Sequence, residues 1–269
     1  MKKIFPLFLA LTVLTGCNEE TEPTPGLTPV GGVISLRSES VLKNEPAAKA
    51  ATHSETAAGQ RLTYTFEAWT KDANPRCVLH KTANGTFDEA AIEIALVPGT
   101  YDFLFWADYG TGAYTTADLR QIKIAMTSGS TPATYAPGSE RDAFACVLPD
   151  VQWNGGNAVS AELKRPLAKL KMRNRKAFGT GGEAVAVTYT DVPTQYDVLT
   201  GTASAPQTLT LAFPTTTAGS DSVGEDFLFV PSSAEHTVGL SVTVGSTTRT
   251  LDVLPLRPNC TSRVTATFE

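Results

Sequence analysis

Apolar residues along this chain fall mostly on every second position, in short runs separated by Gly, Pro, Asn and Asp. Leu62, Tyr64, Phe66 and Ala68 alternate with Thr63, Thr65 and Glu67, the period of two expected of a half-buried strand. Ile92, Ile94 and Leu96 repeat the pattern, Val97-Pro98-Gly99 supplies a turn, and residues 101–107 (YDFLFWA) are apolar on both faces, which predicts a central strand. Residues 120–126 and 142–148 are further candidates, residues 128–138 read as a Gly/Pro-rich surface loop, and Trp153-Asn154-Gly155-Gly156 closes this first set.

A second set begins near Glu162. Ala168, Leu170 and Met172 point one way and Lys169, Lys171 and Arg173 the other, which predicts an edge or half-exposed strand guarded by its lysines. Further runs follow at Val185, Val187 and Tyr189, at Leu209, Leu211 and Phe213, and at residues 226–230. Val238, Leu240, Val242 and Val244, then residues 249–254, then Val264, Ala266 and Phe268 complete the set. About six or seven short strands per half, with turns between them, predict an all-β fold of two tandem β-sandwiches. The expected limits are 60–160 and 161–269. Asp102-Phe103-Leu104-Phe105 recurs as Asp226-Phe227-Leu228-Phe229, hinting at a duplicated domain.

Ahead of the sandwiches the pattern changes. Lys2 and Lys3 precede a short apolar run over residues 4–13, the signature of a secretory signal and too short for the ~20 residues a bilayer span needs. Leu14-Thr15-Gly16-Cys17 resembles the bacterial lipobox, which implies a signal peptide over 1–16, cleavage between Gly16 and Cys17, and acylation of the Cys17 sulfur. Each buried acyl methylene contributes ~0.8 kcal/mol, so two or three chains hold a protein on a membrane. Residues 17–59 then read as a lipidated tether with Glu19, Glu20, Glu22, Pro23, Pro25 and Pro29. The acidic cluster is similar to the signal that carries Bacteroidetes lipoproteins to the outer leaflet of the outer membrane. Within the tether, residues 30–37 (VGGVISLR) alone have strand character, and residues 38–60 are rich in Ala, Ser and Glu.

Composition narrows the function classes. With a formal net charge of -5 and 18% charged residues, nothing here tracks a phosphate backbone, so no nucleic-acid partner is expected. Of the 4 cysteines, Cys17 is assigned to lipid. Cys77, Cys146 and Cys260 remain, an odd set that allows at most one disulfide, such as Cys77 to Cys146, or three small buried hydrophobes. His53, His80 and His236 fall in the tether, a loop and a turn, with no metal-ligand spacing. No nucleophile elbow or phosphate-binding loop is present. Asp88-Glu89, and Asp221 with Glu225-Asp226, read as solvated strand ends, so no metal, no cofactor and no enzymatic activity are expected. Trp69, Trp106, Trp153, Tyr109 and Tyr114 read as core or rim, or else as an aromatic platform for a sugar. Asp221-Ser222-Val223 is similar to a Bacteroidetes O-glycosylation acceptor.

Several segments together resemble the fimbrillin superfamily of Bacteroidetes, the lipoprotein subunits and accessory proteins of type V pili. These are the lipobox, Asp142-Ala143-Phe144, Leu163-Lys164-Arg165-Pro166-Leu167-Ala168-Lys169-Leu170, and Val253-Leu254-Pro255-Leu256-Arg257-Pro258-Asn259 running into Thr261-Ser262-Arg263-Val264. The resemblance implies transthyretin-like Greek-key sandwiches and a lipid-anchored place on the outer membrane, exposed at the surface. In polymerising members an arginine-specific protease removes an N-terminal strand, and the emptied groove takes a strand from another pilus subunit. Carried onto this sequence, residues 30–37 would be the removable strand, with cleavage at Arg37 or, second, at Arg61. The expected function is a structural or accessory pilus subunit assembling by strand exchange. The alternative is a stand-alone outer-membrane adhesin or glycan-binding lipoprotein that meets a host glycan or protein.

Overall fold

The structure is a computed structural model and describes residues 28–39, 61–156, 158–230 and 236–268. Residues 1–27 lie outside it, among them Gly16 and Cys17, as do residues 40–60 with His53. The first group of strands comprises β1 (Val30–Ser38), β2 (Leu62–Thr70), β3 (Cys77–Gly85), β4 (Ala90–Leu96), β5 (Gly99–Asp108), β6 (Tyr114–Thr115), β7 (Ile122–Ile124), β8 (Ala143–Trp153) and β9 (Val159–Leu163). The second comprises β10 (Leu167–Asn174), β11 (Val185–Asp197), β12 (Thr202–Phe213), β13 (Ser222–Phe229), β14 (His236–Val244), β15 (Thr247–Leu256) and β16 (Thr261–Ala266). A single 3-10 turn at Ser139–Arg141 is the only helical element among the described residues.

The strands form two sandwiches with the same wiring. In the first, a three-stranded sheet ordered β4-β1-β9 faces a four-stranded sheet ordered β3-β2-β5-β8. In the second, β13-β10-β16 faces β12-β11-β14-β15. Taken in chain order, β1, β2, β3, β4, β5, β8 and β9 correspond to β10, β11, β12, β13, β14, β15 and β16, including the mix of one antiparallel and one parallel neighbour around β1 and around β10. The molecule is therefore a duplicated sandwich. The Asp-Phe-Leu-Phe echo does not mark it, because Asp102–Phe105 lie on β5 and Asp226–Phe229 on β13, which are not counterparts. Two buried strands use the same residues for unrelated neighbours.

Strand pairing crosses the limits expected from sequence. β1, placed in the tether, is a strand of the first sandwich, and β9 continues that sandwich to Leu163. Residues between β5 and β8 form an insertion whose β7 pairs with the far end of β11, Ile122 against Tyr196 and Lys123 against Gln195. One hydrophobic core fills the first sandwich, with Ile34, Phe66, Phe103 and Trp153; another fills the second and reaches Leu104, Trp106, Leu119 and Ile122. That explains why β5 is apolar on both faces: Phe103 and Phe105 point into its own sandwich, and Leu104 and Trp106 point into the core shared with the second.

Three further expectations are corrected. Of the two alternatives for β10 the half-exposed strand holds and the edge does not: it lies between β13 and β16; its outward Lys169 pairs with Glu225 at 3.2 Å and Arg173 pairs with Asp221, so the charged stripe is an ion-paired outer face. An exposed face looks the same in sequence whether the strand is central or peripheral. His80 lies within β3 rather than in a loop. Cys77 and Cys146 lie on β3 and β8, opposite edges of one sheet, and no bridge joins them.

Candidate functional site: the groove filled by β1

β1 alternates in strict phase. Ile34, Leu36 and Ser38 are buried, whereas Val33, Ser35 and Arg37 face solvent. The two glycines that blur this pattern in the sequence have different places. Gly31 is outward, and Gly32 is inward beneath the indole of Trp153, where a Cβ would come within 2.4 Å of the ring. A glycine inside a strand commonly marks such a close approach. The indole Nε1–H of Trp153 donates to the Val30 carbonyl at 3.1 Å, so the ring is held by the strand it covers.

The walls of the groove are β4 and β9. β4 runs antiparallel to β1 over seven pairs from Val30↔Leu96 to Leu36↔Ala90, and β9 runs parallel from Ile34↔Val159 to Ser38↔Leu163. Among the described residues β4 and β9 have no other sheet partner, and β1 joins them into a sheet. Withdrawing it would open two main-chain edges at once and uncover the floor, where Ile34 and Leu36 pack with residues such as Phe66, Phe103 and Leu163. Burial of each of those two aliphatic side chains contributes about 1.5–3 kcal/mol, and unpaired buried backbone groups are costly. An empty groove therefore has a strong drive to take up another extended segment.

The C-terminal end of β1 is held by polar contacts. The Tyr64 hydroxyl donates to the Thr86 carbonyl at 2.8 Å, which leaves its oxygen to accept from Ser38 Oγ at 3.1 Å. Burial pushes the Tyr64 hydroxyl above its ordinary pKa, keeping it neutral and able to donate. Ser38 N donates to Phe87 O, and Glu39 N to Leu163 O, each at 2.8 Å. Arg37 forms an exposed ion pair with Glu162 at 2.9 Å, worth no more than about 1 kcal/mol.

Of the residues singled out from sequence, Arg37 and Arg61 are both exposed at opposite ends of the 39–61 connection, Arg37 inside β1 and Arg61 just before β2. The aromatic residues do not assemble a platform. Trp106, Trp153 and Tyr114 are buried in two different cores, and Trp69 and Tyr109 are half-buried apart from them, Trp69 under the Arg120 guanidinium and Tyr109 beside Phe87. Asp226 is fully buried and bonded to Arg141 Nε at 3.0 Å and to the Tyr135 hydroxyl at 3.0 Å, so it is not part of a solvated carboxylate pair. Ser222, the residue of the glycosylation-like triplet, opens β13 and is exposed. Among the described residues no cluster of His, Cys, Asp and Glu has metal-binding proximity. Sequence reasoning missed Trp153, Tyr64 and Ser38 as parts of one site, because the contacts join positions 26 to 123 residues apart.

Comparison with known proteins adds the following. A model of the prokaryotic membrane lipoprotein lipid attachment site matches residues 1–18. No curated protein matches. The fold is similar to that of a DUF1812 protein from Bacteroides thetaiotaomicron described as a candidate polysaccharide-binding protein, at TM-score 0.52 and 10% identity over 80% of this chain and 78% of that one. The tip fimbrial protein Mfa3 from Porphyromonas gingivalis, with C-terminal truncation, gives TM-score 0.44 and 11% identity over 84% and 82%. A fimbrial assembly protein from Parabacteroides distasonis gives 0.45 and 14% over 88% and 91%. Residues 32–268 match one family model over nearly the whole of both sandwiches, and the chain belongs to that family, DUF6562, a family of unknown function.

Proposed function

We propose that this chain is a lipid-anchored surface subunit of the fimbrial and adhesin type, tethered to the outer membrane through Cys17, whose first sandwich holds an exchangeable strand. The observation that carries the reading is the position of β1: it comes from the lipid-proximal side of the chain yet sits at the centre of a sheet that exists only through it. Its connection to β2, residues 39–61, is several times the ~4–6 residues typical between strands. A long link of that kind leaves β1 free to be cut away without strain elsewhere. Other subunits would then enter by β-strand addition.

Between the two candidate cleavage sites the geometry favours Arg61. A protease reads its substrate as an extended, unpaired strand. The backbone at Arg37 is already paired within β1, against Glu162 and with Ser38 N bonded to Phe87 O. Arg61 is exposed and precedes the first paired residue of β2. Brief treatment of the lipid-free chain from Asn18 with an Arg-specific protease, followed by N-terminal sequencing, is expected to give a new terminus at Leu62. A folded product cut only after Arg37, or a chain resistant at both sites, contradicts the reading.

A further inference from the structure

β1 is also a template of what can replace it. Resting on the exchange reading above, we propose that the groove selects a strand from another polypeptide with the pattern glycine, any, aliphatic, any, aliphatic, any, hydroxyl, entering antiparallel to β4 and parallel to β9. Each requirement has a structural cause. The glycine lies under Trp153, where any Cβ would sit 2.4 Å from the indole. The indole cannot simply swing out, because its other atoms pack in the first core, 6.1 Å from the Phe103 ring centroid, and its Nε1–H holds the incoming strand's carbonyl two residues earlier. The two aliphatic positions are those of Ile34 and Leu36, buried to 0% and 3%. The hydroxyl position is that of Ser38, where a small side chain must satisfy the Tyr64 oxygen in a site only 7% exposed.

Direction is set as well. A strand entering the other way would pair parallel with β4 and antiparallel with β9, placing its glycine at the Ser38 position and the Cβ of its hydroxyl residue against the Trp153 ring. Outward positions are unconstrained: Val33, Ser35 and Arg37 face solvent, so sequence there is free to differ. Within residues 1–269 only Gly32 heads a run of this kind with Val, Leu or Ile at both aliphatic positions; residues 182–188 (GEAVAVT) carry alanines there. The closing strand β16, with Ser262, Val264 and Ala266 on one side and Phe268 beyond, lacks the glycine and would place Phe268 at the Ser38 position.

The test uses the chain from Asn18 cut after Arg61, held in sub-denaturing urea, with dye-labelled peptides and retention through gel filtration as the readout. The parent peptide copies residues 28–39. A second carries G32L, a third S38V, and a fourth copies residues 258–268. The parent is expected to be retained; G32L is expected to bind weaker by about tenfold or more, because overpacking against a fixed ring is costly; S38V weakens several-fold and the 258–268 peptide is not retained. Retention of G32L within about twofold of the parent, or of the 258–268 peptide as well as the parent, overturns this specificity while leaving strand exchange standing. Failure of the parent peptide itself overturns the exchange reading and this inference together.

Discussion

Arg165, in the connection between the two sandwiches, grips both carboxylate oxygens of Asp142, Nε at 2.6 Å and Nη2 at 2.9 Å, with both side chains withdrawn from solvent. Nη1 of the same guanidinium donates to Asn259 Oδ1, and the Phe144 ring lies beneath it at 4.8 Å. Asp142 immediately precedes β8, Arg165 precedes β10, and Asn259 separates β15 from β16. Segments far apart in sequence thus meet in one buried polar knot at the domain junction.

Breaking one side of such a knot strands the other. Arg165→Ala and Asp142→Ala are each expected to lower stability by about 3–5 kcal/mol, because a buried charge loses its partner. Asp142→Leu together with Arg165→Met is expected to cost less than either single change. Urea unfolding midpoints check both statements; an additive double mutant would show that the two residues act separately.

The insertion between β5 and β8 is fastened by Glu67 on β2. Its carboxylate is 1% exposed and accepts from Trp69 Nε1 at 2.8 Å and from the Leu119 amide at 3.1 and 3.2 Å, with His80 Nδ1 at 2.9 Å. Glu67→Leu removes the acceptor and leaves the Leu119 N–H buried without a partner, a loss of about 1–3 kcal/mol. Amide hydrogen exchange is expected to speed up at Leu119 while β14 stays protected. Unchanged protection at Leu119 would mean that packing of the Leu119 side chain, not Glu67, holds the segment.

Alkaline pH acts on the core tyrosines. Burial raises the pKa of Tyr64, Tyr101, Tyr114, Tyr135 and Tyr189, and pushes Tyr196 up to about 12. Each folded pKa lies above the unfolded value of ~10, so the stability these groups contribute is complete below pH ~10 and is lost as pH rises through the folded values. Phenolate absorbance at 295 nm is therefore expected to rise mainly in step with loss of circular dichroism above pH ~10. Most of that absorbance appearing near pH 10 in a still-folded protein would contradict the burial of these rings.

How much of this was legible in the sequence depended on range. The alternation in β4, β10 and β14 was readable because one face of each meets a core and the other is at least partly open to water, and that in β2 because its second face, though largely buried, carries the polar Thr63, Thr65 and Glu67. β3 was missed since no residue of Cys77–Gly85 is buried and its inward face, with Leu79 and Ala83, is interrupted by Lys81. β9 was missed because only Ala161 and Leu163 are buried. In β1 the pattern was present, but Gly32 reads as a gap until Trp153 is seen to fill the space above it. The residues of the junction knot stood out as motifs, and nothing local could show that they meet.

The central claim is that β1 can leave its groove, and a reversible staple tests it most directly. Val33 and Glu93 are paired across β1 and β4 and both face solvent, so V33C with E93C has the short Cα separation a disulfide needs. The variant, cut after Arg61, is expected to keep its N-terminal fragment when oxidised. On reduction, with an excess of the peptide copying residues 28–39, it is expected to release that fragment and take up the peptide. Retention of the fragment after reduction, with no peptide bound, would contradict the account and leave β1 as a permanent strand of the first sandwich.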